Sequence, residues 1–277
     1  MAKINYISSV SNSQVKLINS LQNKSSQRKK EGLFVVEGIK IFLETPNELI
    51  HSIYVAESVL ENLKNAKKGF NEDIHREVLN KLNNLDYILV SDEVAKHMSD
   101  TVNTQGIFTV VKLLSYDLSK LIHIEEKQIF LVLDGLSDPG NMGTIIRTAE
   151  GAGVSGIIMN KECVDIYNPK VTRSTMGSVF RVPFIIEETL NEAIELLKNS
   201  GVVTYAAHLN GSEYFSQDNL SGSVAIFIGN EARGLSENVS NMADKLIKIP
   251  MEGKLESLNA SVAAAILMYE AKRKILL

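Results

Sequence analysis

A single cysteine, Cys163, stands in 277 residues, so no internal disulfide can form and the chain suits a reducing cytoplasm. Cysteines and histidines are too few at ligand spacings to build a zinc site, so no metal is expected. Cys163 itself reads as an incidental, partly buried thiol, His208 as a structural residue at a strand end, and the methionines as core filler. No apolar run approaches the roughly 20 residues that cross a bilayer. The opening "MAKINYISSVSNSQ" also lacks the apolar core of a signal peptide. Two phosphate-binding signatures are missing too. The glycine-bearing turn after "IFLVLDGL" is not G-x-G-x-x-G, and it lacks the Gly-Lys-Ser/Thr ending of a P-loop. Neither a dinucleotide nor a nucleoside triphosphate is therefore its expected ligand.

Acidic residues are absent from the first 30 positions, which carry Lys3, Lys16, Lys24, Arg28, Lys29 and Lys30 against a net charge of −4 for the whole chain. A basic leading arm on an acidic protein suits a polyanionic partner, although a solvated helix face would look the same.

What is present is an ordinary globular composition, 44% hydrophobic and 22% charged, long enough for one large domain or two ordinary ones. Residues 1–115 read as a small α/β unit. "SNSQVKLINSLQNKSSQRKKEG" is expected to be a helix opened by Ser and Asn caps, with Val15, Leu17, Ile18 and Leu21 as its apolar stripe. "LFVVEG", "LIHSIYVAES" and "GIFTVVKLL" are expected strands, and "GIKIFLET" and "VLENLKNAKK" helices. "LDYILVSDEVAKHMSDT" reads as a strand then a helix, and the polar residues 116–128 form the expected join. From 129 to 277 the apolar runs "IFLVLD", "GIIMN", "VVTYAAHL", "SVAIFIGN" and "DKLIKIP" alternate with helical segments. This pattern predicts a mostly parallel sheet covered by helices on both faces, with ligands at the carboxyl ends of the strands.

Three polar, glycine-bearing loops occupy those strand ends. In "DPGNMGTIIRTAEGAGV" the buried stripe is Met142, Ile145, Ile146, Ala149 and Ala152, and Arg147 points away from it beside Gly143, Thr144, Glu150 and Gly151. That is a smooth cationic shelf, or else an exposed arginine paired with Glu150. In "IFIGNEARGLS", Glu231 lies between Gly229 and Gly234, placed either to orient a substrate hydroxyl or to hold the loop together. In "IPMEGKLESLNASVAAAILMYEA", Ser257 or Asn259 is placed to cap a long alanine-rich helix.

These three stretches, in this order and spacing, resemble the motifs of the SpoU/TrmH family of RNA ribose 2′-O-methyltransferases, in the SPOUT class. The resemblance spans essentially all of residues 129–277. "DIYNPKVTRSTMGSVFRVPF" is similar to the family's stretch between motifs one and two. More weakly, "SVSNSQVKLINSLQNKSSQRKKEGLFVVEG" resembles the start of the N-terminal substrate-binding domain of its ribosomal RNA members, a small α/β sandwich. Ala232 stands where many members have glycine, and Met142 where leucine is common. The resemblance implies a trefoil knot in the C-terminal domain, a homodimer, and S-adenosyl-L-methionine as cofactor. By position it implies cofactor contacts from Gly229, Ile249, Leu258, Met251, Asn230 and Leu209. Arg147 is implied as the central catalytic group, with Asn141, Glu231, Asn259 and Ser257 around it. An RNA substrate would be tracked by Arg28, Lys29, Lys30, Lys170 and Arg173. The sulfonium methyl is already activated, so the chemistry calls for no metal. Ribosomal RNA is the favoured substrate, because a separate N-terminal domain is present. Transfer RNA, a non-catalytic ribosome-assembly role and a nucleotide-phosphate enzyme are the alternatives.

Overall fold

In the computed structural model, which describes residues 5–65, 72–213, 220–254 and 257–276, the chain groups into two compact units. The first takes the chain through Leu114 together with Tyr167–Phe180, and the second takes Ser115–Ile166 and Arg181 onward. Lys3 lies outside the described residues.

The first unit is built on a five-stranded sheet of β1 (Tyr6–Ile7), β2 (Leu33–Glu37), β3 (Ile50–Ala56), β4 (Ile88–Val90) and β5 (Ile107–Lys112), in the order β1-β4-β3-β5-β2. β4 runs parallel to both β1 and β3, while β5 pairs antiparallel with β3 and β2. Both faces are covered. Val15, Ile18 and Leu21 of α1 (Ser13–Asn23) join Val35, Phe108 and Val110 in one apolar cluster. Phe42 of α3 (Ile39–Glu44), Leu60 and Leu63 of α4 (Glu57–Asn65), and Val78 and Leu82 of α5 (Glu72–Asn83) join Ile53, Val55 and Ile107 in another. α6 (Asp92–Met98) follows β4 and is capped by Ser91, whose Oγ accepts from Val94 N.

The expected single helix near the N-terminus is two. Asn12 opens α1, its Oδ1 accepting from Gln14 N at 2.8 Å, but extended backbone at Lys24 (φ −129°, ψ 113°) separates α1 from α2 (Ser25–Glu31). Arg28 explains the break: it is 4% exposed and donates from Nη1 to the carbonyls of Leu21 (2.5 Å) and Gln22 (3.0 Å). A cation there satisfies orphan carbonyls at the end of α1. The expectation that Arg28 tracks RNA is corrected accordingly, since its guanidinium is spent inside the fold.

α7 (Leu118–Leu121) opens the second unit. Its sheet contains β6 (Ile129–Asp134), β7 (Gly156–Asn160), β8 (Phe184–Glu187), β9 (Val203–Glu213), β10 (Val224–Gly229) and β11 (Lys245–Lys248), ordered β11-β9-β10-β6-β7-β8 with every pairing parallel. Strands β6 and β7 are buried along their full length, as expected of parallel strands roofed on both sides. β8 is an edge strand that the run of apolar residues does not announce, because Ile186 faces solvent. On one face, Ala193, Ile194 and Leu197 of α10 (Asn191–Asn199) and Val239 of α11 (Glu237–Met242) pack on Phe130, Val132 and Phe227. On the other, α8 (Pro139–Ala152) packs with α12 (Ala260–Leu276). The stripe of Met142, Ile145, Ile146, Ala149 and Ala152 is buried as predicted, and Ala264, Leu267 and Met268 of α12 are buried too.

α9 (Pro169–Ser174) sits in the first unit, although in sequence it falls between β7 and β8. Tyr167 and Phe180, which flank it, hold it there. Their rings lie 4.6 Å and 6.3 Å from that of Phe34, and the Tyr167 hydroxyl accepts from Leu114 N at 2.9 Å. Among the described residues, no helix is long and apolar enough to cross a membrane.

Candidate active site

Strand β6 delivers the chain to a turn that Asp138 closes: its Oδ1 accepts from Asn141 N at 2.7 Å, and Pro139 begins α8 with φ already helical. The Asn141 side chain, 8% exposed, is thereby held in the first turn of α8. Its Nδ2 donates to Glu231 Oε1 at 3.0 Å, and its Oδ1 accepts from Asn259 Nδ2 at 2.9 Å. Asn259 Oδ1 in turn accepts from Ser261 N (2.9 Å) and Ser261 Oγ (2.7 Å), and so caps α12. Glu231 completes the chain, accepting from Ser137 N (3.0 Å), Ser137 Oγ (2.8 Å) and Asp138 N (3.0 Å). One run of side chains, Asn259 to Asn141 to Glu231, therefore ties together the loops after β6, after β10 and before α12. Of the two capping candidates Asn259 does the capping, and Ser257 is exposed.

Burial raises the Glu231 carboxyl, but its hydrogen bonds from Asn141, Ser137 and Asp138 outweigh that and bring it down to about 2, from an ordinary 4.5. A carboxyl depressed on folding stabilises the fold above its unfolded value, and that stability drains as pH falls from about 4.5 towards 2. Thermal unfolding of the native chain should therefore lose more midpoint temperature between pH 5 and pH 2.5 than that of Glu231→Gln. Equal losses would show the loop lock to be carried by something else.

Arg147 is exposed two turns into α8, and among the described residues no hydrogen bond or ion pair engages it. Glu150, its possible partner, is taken by Arg181, whose Nε and Nη2 reach the carboxylate at 2.5 and 3.1 Å. The guanidinium is left open to an incoming anion.

A second network lies beneath the loops and is not evident from the motifs. Asp134, 6% exposed, accepts from Asn160 Nδ2 at 2.7 Å and from Ser236 N at 2.8 Å. Asn160 Oδ1 accepts from Gly135 N at 3.0 Å, and Asn230 Nδ2 donates to Gly135 O at 2.7 Å. The ends of β6, β7 and β10 are thus fastened to one another. The available signal was polar residues closing otherwise apolar strands, "LVLD" and "IIMN".

Above this network the β10 loop folds back on itself, with Asn230 and Gly234 exchanging both backbone hydrogen bonds at 2.9 Å. A Cβ on Gly229 would lie 2.2 Å from the backbone of Gly234 and Leu235, so only glycine permits the approach. Ile249, Met251 and Leu258 are half-buried in the segment between β11 and α12, and Leu209 of β9 is 65% exposed. His208 Nδ1 accepts from Asn210 N at 3.2 Å. Cys163 is half-buried, and burial pushes its thiol up to about 11, so it is no nucleophile.

Residues 128–269 match the model of the SpoU rRNA Methylase family, more than half of the chain, and residues 12–109 match the MRM3-like substrate binding domain. The chain belongs to the SpoU rRNA methylase family. It is 31% identical over 240 residues to the 23S rRNA (guanosine-2′-O-)-methyltransferase RlmB of Vibrio cholerae, covering 82% of this chain and 97% of that protein. It is 29% identical over 273 residues to an uncharacterized tRNA/rRNA methyltransferase of Synechocystis, covering 97% and 94%. The structure of an AdoMet-bound rRNA methyltransferase from Sinorhizobium meliloti superposes with a TM-score of 0.80 at 29% identity, over 98% of each chain.

In this SpoU chain the residues expected to contact RNA are all in the first unit. Lys29, Lys30 and Lys170 are exposed. Arg173 is partly exposed, and its Nη2 donates to Asp100 Oδ2 at 3.0 Å.

Proposed function

We propose that this chain transfers a methyl group from S-adenosylmethionine to the 2′-oxygen of a ribose in ribosomal RNA, acting in the cytoplasm as a homodimer. Residues 1–115, grouped with Tyr167–Phe180, serve as the RNA-binding domain, and the rest of 129–277 as the knotted methyltransferase domain. The observation that carries the reading is the side-chain run Asn259–Asn141–Glu231, which closes all three motif loops on the helix that bears the exposed Arg147.

The cofactor suits the residues present. Gly229 gives a close backbone crossing that a side chain would fill, and Asn230 fixes the loop beside it. Ile249, Met251, Leu258 and Leu209 offer half-buried and exposed apolar contacts for a purine ring and a methionine chain. Bound there, S-adenosylmethionine supplies a methyl group already activated by its sulfonium. The remaining difficulty is a ribose hydroxyl that is only weakly acidic. A guanidinium keeps its proton, so Arg147 is no base. It stabilises the alkoxide as it develops and clamps the neighbouring phosphate, a preorganised charge in place before the reaction begins. As the oxygen–methyl bond forms the sulfur–methyl bond breaks, S-adenosylhomocysteine leaves, and the hydroxyl proton passes to solvent water at the exposed face of α8. Glu231 is no base either: with its carboxyl near 2 and four donors upon it, it acts as a strut. Asn141 and Asn259 hold the first turn of α8, and with it Arg147, in register with the cofactor loops.

The deciding experiment incubates the full chain with total RNA and S-[methyl-³H]adenosylmethionine, then maps 2′-O-methyl positions. Label at a discrete site in ribosomal RNA is expected. Label confined to transfer RNA would overturn the substrate assignment. Cofactor binding without label in any RNA would favour a non-catalytic ribosome-assembly role.

RNA affinity should fall steeply and log-linearly with salt, since phosphate contacts release counterions. The pair Lys29→Ala and Lys30→Ala should weaken binding about equally for all sequences. It should also flatten the slope of log K against log salt by about one per phosphate contact removed. Filter binding between 50 and 300 mM salt checks this, and an unchanged slope would take these lysines off the RNA path.

A further inference from the structure

The first unit holds a cavity of about 430 Å³ that the mechanism above does not use. Its size is that of small-ligand sites, and its walls combine apolar surface with a few polar groups, as such sites do. Ile39 and Ile41 of α3, Ile74 of α5 and Met176 supply the apolar part. Gln105 and His75 supply neutral polar groups, and Lys40 and Arg173 supply charge.

Two of the polar groups have unspent hydrogen-bonding capacity. Gln105 Oε1 accepts from Ile39 N at 3.0 Å, which fixes the orientation of the amide and leaves its N–H₂ without a partner among the described residues. The Nδ1 of His75 is buried and equally without a partner. Buried polar atoms in that condition are few in native folds and call for an explanation. Beside Gln105 the backbone runs close: Gly38 has φ +128°, and a Cβ there would meet Gln105 Oε1 at 2.9 Å. Met176 is held at φ +52°, unusual for a residue with a side chain, and is 46% exposed.

We propose that this cavity seats one unpaired nucleotide of the RNA substrate, its base inside and its phosphate at the rim; the proposal rests on the methyltransferase reading above. Charge sets that orientation. Glu37 lines the cavity at 8% exposure, its carboxylate accepting from Ser99 Oγ (2.8 Å), Thr104 Oγ1 (2.8 Å) and Gln105 N (3.3 Å). A phosphate inside would face that anion, whereas a neutral ring would not. The cations both reach solvent, Lys40 exposed and Arg173 partly so beside Asp100, so the phosphate belongs with them at the rim. A planar ring between isoleucine and methionine side chains, with an amide and an imidazole to address its edge, is how proteins read bases splayed out of single-stranded RNA.

The test uses the full chain with total ribosomal RNA containing 4-thiouridine and 6-thioguanosine, cross-linked at 365 nm and mapped by peptide mass spectrometry. Cross-links should appear in the peptides carrying residues 38–41, 74–75, 105 or 173–176. Ile74→Trp, which fills the cavity, should reduce them at least tenfold while leaving cross-links at Lys29 and Lys30 in place. Should Ile74→Trp fail to fold by circular dichroism, Met176→Trp at its exposed position makes the same test. Native protein that methylates RNA yet gives no cavity cross-link overturns this inference alone, whereas absence of methylation overturns the reading on which it rests. A parallel titration with AMP, GMP, CMP and UMP by NMR separates the two sources of a nucleotide. Chemical shifts at His75 from a free nucleotide, without RNA cross-links, would refute RNA as the occupant.

Discussion

Arg147→Ala should lower the single-turnover rate of methyl transfer by about 10²–10³-fold, the scale seen when one preorganised donor to a developing oxyanion is removed. It should leave both cofactor affinity and thermal stability within error of the native chain. The second half of the expectation follows from the geometry. Arg147 is exposed and engages nothing among the described residues, so its removal leaves no buried group unsatisfied and opens no cavity. An arginine that stored its energy in the fold would behave differently, and Arg181, bound to Glu150 through two nitrogens, is the internal comparison. Arg147→Lys separates charge from shape. Lysine restores a cation without the planar fork that grips a phosphate, so it should recover part of the lost rate. Rapid quench against labelled RNA, with calorimetric titration of S-adenosylmethionine, measures both halves. A fall in cofactor affinity that tracks the rate would move Arg147 into the cofactor pocket and out of the proposed role.

Much of this was legible in the sequence, for reasons that differ from residue to residue. Strands β6, β7 and β10 are read from their continuous apolar runs, because parallel strands bury both faces. Motif residues Asn141, Glu231 and Asn259 could be nominated one by one, but not the fact that they bond to each other across 90 and 118 positions. Only folding brings those loops together. Arg28 misleads for the opposite reason. It sits in a run of cations and looks like its neighbours Lys29 and Lys30, yet the end of α1 needs a donor and Arg28 is the one that reaches it. Placing α9 with the first unit depends on Tyr167 and Phe180 finding Phe34, a contact that no periodicity encodes. Helix α5 is missing from the elements expected of the sequence: Ile74, Val78 and Leu82 stand at helical spacing, but their charged neighbours hide the stripe. The pairing of Asp134 with Asn160 was marked only by a polar residue ending each apolar run.

Gly229→Ala tests the other half of the site, and its effect should be of a different kind from that of Arg147→Ala. The added Cβ would sit 2.2 Å from Gly234 C and Leu235 N and 2.4 Å from Gly234 O. All three are backbone atoms, so no side-chain rotation relieves the clash, and the segment 230–235 must move as a piece. Movement breaks the paired hydrogen bonds between Asn230 and Gly234 and carries Glu231 off the amides of Ser137 and Asp138. Overpacking of this sort costs about 1–3 kcal/mol, and here it falls on the loop assigned to the cofactor. S-adenosylmethionine affinity and transfer should therefore drop together, by tenfold or more, with a lower unfolding temperature. Gly234→Ala controls for glycine chemistry as such: at φ +70°, with nothing within 4 Å of its Cβ, it should cost only the left-handed strain of about 1–2 kcal/mol. Calorimetry and thermal unfolding on the two variants decide the matter. If Gly229→Ala binds the cofactor as the native chain does, the crossing at β10 is not part of the cofactor site, and the methyl donor must sit elsewhere on the sheet edge.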